Sequence, residues 1–84
     1  MNILTNNNIV FSYAGLFSTE TEWIHPKRTE KTYEIICVTK GKVYMREGDH
    51  EYLVEQGQVM LLSPNVLHYG TRVTSDVGFY WVHF

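Results

Sequence analysis

The chain has one cysteine, no surplus of positive charge, no long apolar run and no helical periodicity, and each of these absences excludes something. Cys37 stands alone among 84 residues, so no internal disulfide can form. It sits in an apolar, β-branched stretch, where a buried, inert thiol is expected. The formal net charge of −2 gives no broad attraction to phosphate backbones, so these residues are not expected to bind DNA by themselves. The N-terminus, Met1-Asn2-Ile3-Leu4-Thr5-Asn6, lacks a basic region followed by a long apolar core. That argues against a secretory signal and a membrane span, and a cytoplasmic location is expected. Nowhere does an apolar period of 3.6 residues persist for three turns, which predicts little or no helix.

What the chain does have is apolar weight, with 44% hydrophobic and 14% aromatic residues, which excludes disorder. At 84 residues it is one small domain, burying a little over about 60% of its unfolded surface. Short apolar runs recur between turn signals: 9–17, 33–39, 43–47, 50–54, 59–62, 68–73 and 78–84. Seven regularly spaced short strands predict an all-β sandwich or barrel. Residues 1–8, broken by Asn6-Asn7-Asn8, read as a loose arm, and 9–84 as the domain. Residues 18–31 read as a loop with Trp23 as its one large aromatic anchor.

Two stretches carry the chemistry. The first runs from Gly57 through Val59-Met60-Leu61-Leu62 to Ser63-Pro64-Asn65 and His68. Four apolar residues between turn signals predict a strand buried on both faces. Pro64 forces a corner, which places His68 at the start of the next strand. The second is Tyr33-Glu34-Ile35-Ile36-Cys37-Val38-Thr39-Lys40-Gly41, one carboxylate in an otherwise apolar strand. A charge is rarely buried without a partner. Glu34 therefore faces either water or a polar spot inside the barrel, and His68 is the candidate for that spot. If both point inward, alternation carries Ile36 and Val38 with Glu34, and Gly70 and Arg72 with His68. The alternative is a structural ion pair from Glu34 to Arg28 or Arg72.

Together these stretches resemble the two motifs of the cupin family, β-barrels of the jelly-roll type (the double-stranded β-helix). Glu34 and Gly41 match the end of the first motif, and Gly57, Pro64 and His68 match the second, with a one-residue shift on either side of Pro64. The flanking motifs Trp23-Ile24-His25-Pro26-Lys27-Arg28 and Phe79-Tyr80-Trp81-Val82-His83-Phe84 resemble the N-terminal sensor domain of AraC-type transcription regulators, over roughly Phe11 to the end. The resemblance implies a cupin-like barrel that binds a small-molecule effector such as a sugar and takes part in a homodimer. It implies DNA binding only through a C-terminal helix-turn-helix domain that is absent from these residues. The apolar last strand, 78–84, fits a piece of a longer regulator, with that strand or 9–17 at the dimer contact.

The ligand-binding candidates are Glu34, His68 and Arg72, with Trp23 and Tyr52 among the aromatics, although packing accounts for most aromatics more simply. No metal and no other cofactor is expected. The cupin His-x-His before the glutamate is missing, and Lys27-Arg28-Thr29-Glu30 stands there instead. No Ser-His-Asp or Cys-His arrangement suggests catalysis. The competing readings are a free-standing small cupin metal enzyme and a ligand-free dimerisation module.

Overall fold

The computed structural model describes residues 13–84, so the expected arm 1–8 and the start of the strand expected at 9–17 lie outside the described residues. Seven strands follow one another: β1 (Tyr13–Thr19), β2 (Glu34–Lys40), β3 (Lys42–Glu47), β4 (His50–Glu55), β5 (Val59–Leu62), β6 (His68–Gly70) and β7 (Val77–His83). They form two sheets, ordered β1-β7-β2-β5 and β4-β3-β6, and every named pairing is antiparallel. The fold is all-β, as the spacing of short apolar runs predicts. Among the described residues no helix is long and apolar enough to cross a membrane.

Alternation decides which residues meet between the sheets. On β2, Glu34, Ile36 and Val38 point inward, and Ile35 and Cys37 do not. The inward set of the chain, Ile36, Val38, Val43, Met45, Val54, Met60, Leu62, Val77 and Phe79, forms one core. Register then lays three rows across the inner face of the four-stranded sheet. Phe17, Phe79 and Val38 make the first; Gly15, Trp81, Ile36 and Met60 the second; Tyr13, His83, Glu34 and Leu62 the third. The sheet thus grades from apolar to polar along its length.

Three local expectations are corrected. The run Val59–Leu62 is covered on one face only: Met60 and Leu62 enter the core, while Val59 and Leu61 stay exposed. Cys37 is half-buried on the outward face of β2, not in the core. The last strand leaves no free edge of its own, because β7 is paired with β1 on one side and β2 on the other.

The segment read as a loop is stitched to the second sheet. Trp23 and Thr74 exchange backbone hydrogen bonds of 2.8 and 2.9 Å, and Arg28 and His68 exchange two of 2.9 Å. Between them the Gly70 N–H donates to the His25 carbonyl at 3.0 Å. Residues 23–28 therefore act as an irregular extra strand beside β6. The close approach needs Gly70: a Cβ there would come within 2.6 Å of the His25 nitrogen. At the Pro64 corner Asn65 takes a left-handed φ of 63°, which asparagine tolerates. Its N–H donates to the Glu30 carbonyl at 2.7 Å, tying the corner to the same segment.

Leu61 and Leu62 are adjacent residues of one type on opposite faces, 53% and 0% exposed. Leu62→Ala is expected to cost about 2–5 kcal/mol by cavity formation. Leu61→Ala should stay within about 0.5 kcal/mol, as for exposed positions. Urea unfolding of both variants checks the assignment, and equal losses would contradict it.

Candidate functional site

Polar and aromatic side chains converge at the polar end of the sandwich. A cavity of about 180 Å³ is lined by Tyr13 and Phe17 of β1, Trp23, His25, Pro26 and Arg28 of the stitched segment, Glu34 of β2, and Phe79, Trp81 and His83 of β7. Its aromatic wall is built from contacts between neighbours. Phe17 lies 4.8 Å from Trp23 and 5.2 Å from Phe79, ring centre to ring centre, and Tyr13 stacks on His83 at 4.4 Å. Trp81 reaches across β1 because Gly15 opposes it; any Cβ at Gly15 would overlap the indole.

Glu34 lies at the base of this wall, 6% exposed. Its two carboxylate oxygens face two imidazoles: Oε1 is 3.8 Å from His68 Nε2, and Oε2 is 3.5 Å from His83 Nε2. These are ion-pair separations, too long for close hydrogen bonds. Neither Arg28 nor Arg72 reaches ion-pair distance of Glu34 among the described residues, so the alternative of a structural pair with either arginine is not what the fold builds. Burial pushes the Glu34 carboxyl up from its ordinary value, and the neighbouring His83 pulls it back in part.

The histidines differ in how they are held. His83 is fixed by a 2.9 Å hydrogen bond between its Nδ1 and the Thr32 hydroxyl. His25 is fixed by a 2.7 Å hydrogen bond from Nδ1 to the carbonyl of Pro26. His68 is 1% exposed, and neither ring nitrogen has a hydrogen-bond partner among the described residues; the Val66 carbonyl approaches without meeting hydrogen-bond geometry. The His25 and His68 rings lie 5.3 Å apart. Burial depresses both, His25 from 6.5 to about 4, with the Pro26 carbonyl opposing and His68 and Arg28 assisting. Among the described residues no group of three or more His, Cys, Asp or Glu side chains is placed to hold a metal ion.

Of the residues singled out from sequence, the fold brings Glu34 and Trp23 to the cavity wall, buries His68 behind Glu34 without its bordering the cavity, and leaves two elsewhere. β6 ends at Gly70, so the alternation that would have carried Arg72 inward stops; Arg72 is exposed, with its guanidinium 5.3 Å from the Tyr44 ring centre. Tyr52 is 38% exposed and borders a separate, open groove between the edge strands β4 and β5. His25 and His83 belong to the cluster and were not among the ligand-binding candidates named from sequence. For His83 a signal existed: it shares parity with Phe79 and Trp81. For His25 none did, since its position depends on the docking of an irregular segment.

A family model for the AraC-like ligand binding domain matches residues 11–84. The chain belongs to that family. It is also 38% identical over 76 residues to an uncharacterised HTH-type transcriptional regulator, YisR, of Bacillus subtilis, covering 89% of this chain and 26% of that protein. The chain thus spans about a quarter of the length of this curated relative. Among solved structures, the cupin domain of Schizosaccharomyces pombe Cnp3 superposes with a TM-score of 0.73 at 15% identity, over 95% of this chain and 59% of that one. A structure of FeII HppE superposes with a TM-score of 0.69 at 22% identity, over 84% of this chain and 41% of that one. These likenesses establish the cupin-type fold of this member of the AraC-like family and nothing further.

The depressed histidines set a pH dependence of stability. A histidine that resists protonation when folded is stable above its ordinary value, and stability is lost as pH falls from 6.5 toward about 4, where the unfolded chain takes up the proton first. For His25 the full effect is worth up to about 3 kcal/mol. His68 acts in the same sense. Glu34 acts in the opposite sense, losing stability as pH rises through its raised pKa. We expect the melting temperature to fall across this acid range and His25→Phe to flatten much of the fall. Melting curves with the same slope in both proteins would show that His25 is not responsible.

Proposed function

We propose that this domain senses a small-molecule effector in the cavity between Trp23, Trp81 and Glu34, and that it is a sensor, not an enzyme. The observation that carries this reading is the combination, in a member of the AraC-like ligand-binding family, of an aromatic wall with a buried carboxylate and imidazoles at its base. A concave, mostly apolar pocket with a few convergent polar groups is what a small ligand requires. Indole faces pack on the C–H faces of a sugar ring, and the carboxylate and imidazoles meet its hydroxyls. A sugar or related polyol is therefore the proposed effector class. DNA binding would belong to a further, C-terminal helix-turn-helix domain, as the regulator YisR suggests, and the setting would be cytoplasmic.

A thermal-shift screen with neutral monosaccharides tests the sensing role, because a ligand that binds only the folded state raises the melting temperature. At a hundredfold excess over its dissociation constant the gain is about 2.7 kcal/mol. Trp81→Ala and Glu34→Gln should each reduce the shift. A shift undiminished in both variants would place binding outside this cavity.

We also propose that the domain forms a homodimer through the outer face of the four-stranded sheet. Register lines up Leu16, Tyr80, Cys37 and Val59 there, with Val82, Ile35 and Leu61 in the next row. Leu16, Val59, Leu61 and Tyr80 are each more than half exposed. An apolar face of this kind is a common basis for two-fold association. Sedimentation at micromolar concentration is expected to show a dimer that Leu16→Lys and Tyr80→Lys convert to monomer. A monomer throughout the accessible range would refute it.

A further inference from the structure

The aromatic wall admits many rings; the polar base is more selective. Its selectivity turns on which atoms there give hydrogen bonds and which accept them. The Pro26 carbonyl has no hydrogen, so the 2.7 Å contact fixes the proton of His25 on Nδ1. In the neutral ring Nε2 is then a bare lone pair. No hydrogen bond engages Nε2 among the described residues, and the ring borders the cavity. Depression of the His25 pKa to about 4 keeps the ring neutral at physiological pH. Nearby, the Glu34 carboxylate when ionised accepts hydrogen bonds and donates none, and its separations of 3.5 and 3.8 Å from the flanking imidazoles leave its hydrogen-bonding capacity underused.

Resting on the effector-sensing reading, we propose that His25 is a specificity-determining residue. Held by Pro26 as a hydrogen-bond acceptor, it joins Glu34 in selecting an effector that presents donors, namely neutral hydroxyls, and in rejecting the matching carboxylate or phosphate. An anionic group placed against these two acceptors finds no donor in either of them and leaves buried polar atoms unpaired, which is costly. The counterweight is Arg28, the one arginine or lysine among the lining residues. It is exposed, at the rim of the cavity, where solvent screens its attraction for an anion. The tautomer of His25, and not Arg28, thus sets the preference. Two things hold this tautomer in place: the segment carrying His25 must dock against Gly70, and Pro26 must follow it.

Two measurements test this. Long-range proton–nitrogen correlation NMR of the ¹⁵N-labelled protein at neutral pH should show His25 neutral with its proton on Nδ1. The opposite tautomer, or an imidazolium, overturns the proposal. Calorimetry with probes of one skeleton, D-glucose, D-glucuronate and D-glucose 6-phosphate, and with the galactose and xylose series, should show the neutral sugar of a series binding at least about tenfold more tightly than its acid or phosphate. His25→Phe should reduce that preference, with circular dichroism confirming the fold; if that variant does not fold, the comparison in the unaltered protein decides by itself. Acids or phosphates that bind as well as the neutral sugars overturn the selectivity and leave effector sensing standing. If no probe of any class binds, the sugar reading of the pocket is lost and the selectivity proposal with it.

Discussion

The structure depends on a carboxylate that has been taken out of water without a matched partner. Glu34 is nearly buried, in the same β2 row as Ile36 and Val38, and its nearest charged-capable neighbours are imidazoles at ion-pair distance. Replacing it by an apolar residue would fit the row and relieve the cost of desolvation, as buried ionic groups generally can be replaced. That cost is consistent with the effector-binding role proposed for Glu34. Behind it His68 is buried too, and its two ring nitrogens have no hydrogen-bond partner among the described residues, which adds to the local cost. The polar end of the sheet is a place where stability is given up, and functional sites are where such local conflicts are expected.

That end is held in shape by backbone pairing, which carries the aromatic wall with it. The segment 23–28 is fixed by hydrogen bonds to residues 68–74 at three points, and these orient Trp23 and His25. β1 is an edge strand, held in its sheet by β7 alone, and it supplies Tyr13 and Phe17. A core strand such as β2, paired on both sides, is the rigid partner of the site. One wall is thus firmly placed and the opposite wall is more weakly tethered.

The fold was legible because its signals are local. Alternating burial on β2, the corner at Pro64 and the short spacing of apolar runs all act within a few residues, and each produced a strand where expected. Glu34 and His68 could be paired from a distance because each lies in a regular strand whose parity is readable. Arg72 was misdirected by the same rule, since parity holds only while the strand lasts and β6 stops at Gly70. Tyr52 shares parity with Val54 yet stays partly exposed, because β4 is an edge strand and the groove beside it is open. His25 was invisible for a different reason. Its place depends on Gly70 admitting another backbone, a non-local contact that no pattern in residues 23–28 encodes.

The same non-locality separates the proposed pocket from the core. Ile36, Val38, Met45, Leu62 and Phe79 are fixed by packing between the two sheets. The proposed ligand contacts come from the third row of the sheet and from segment 23–28, which pairs with residues 68–74 and packs Trp23 on Phe17 and Phe79. Substitution at His25 alters the pocket without touching the core cluster, whereas Trp23 also packs on core Phe79, so its loss would reach the core as well. Substitution at Glu34 alters the pocket and the sheet together, because it shares its row with Leu62 and His83. On the proposed reading, ligand preference is therefore divided between Glu34 and His83, bound into the sheet, and the residues of segment 23–28 docked beside it.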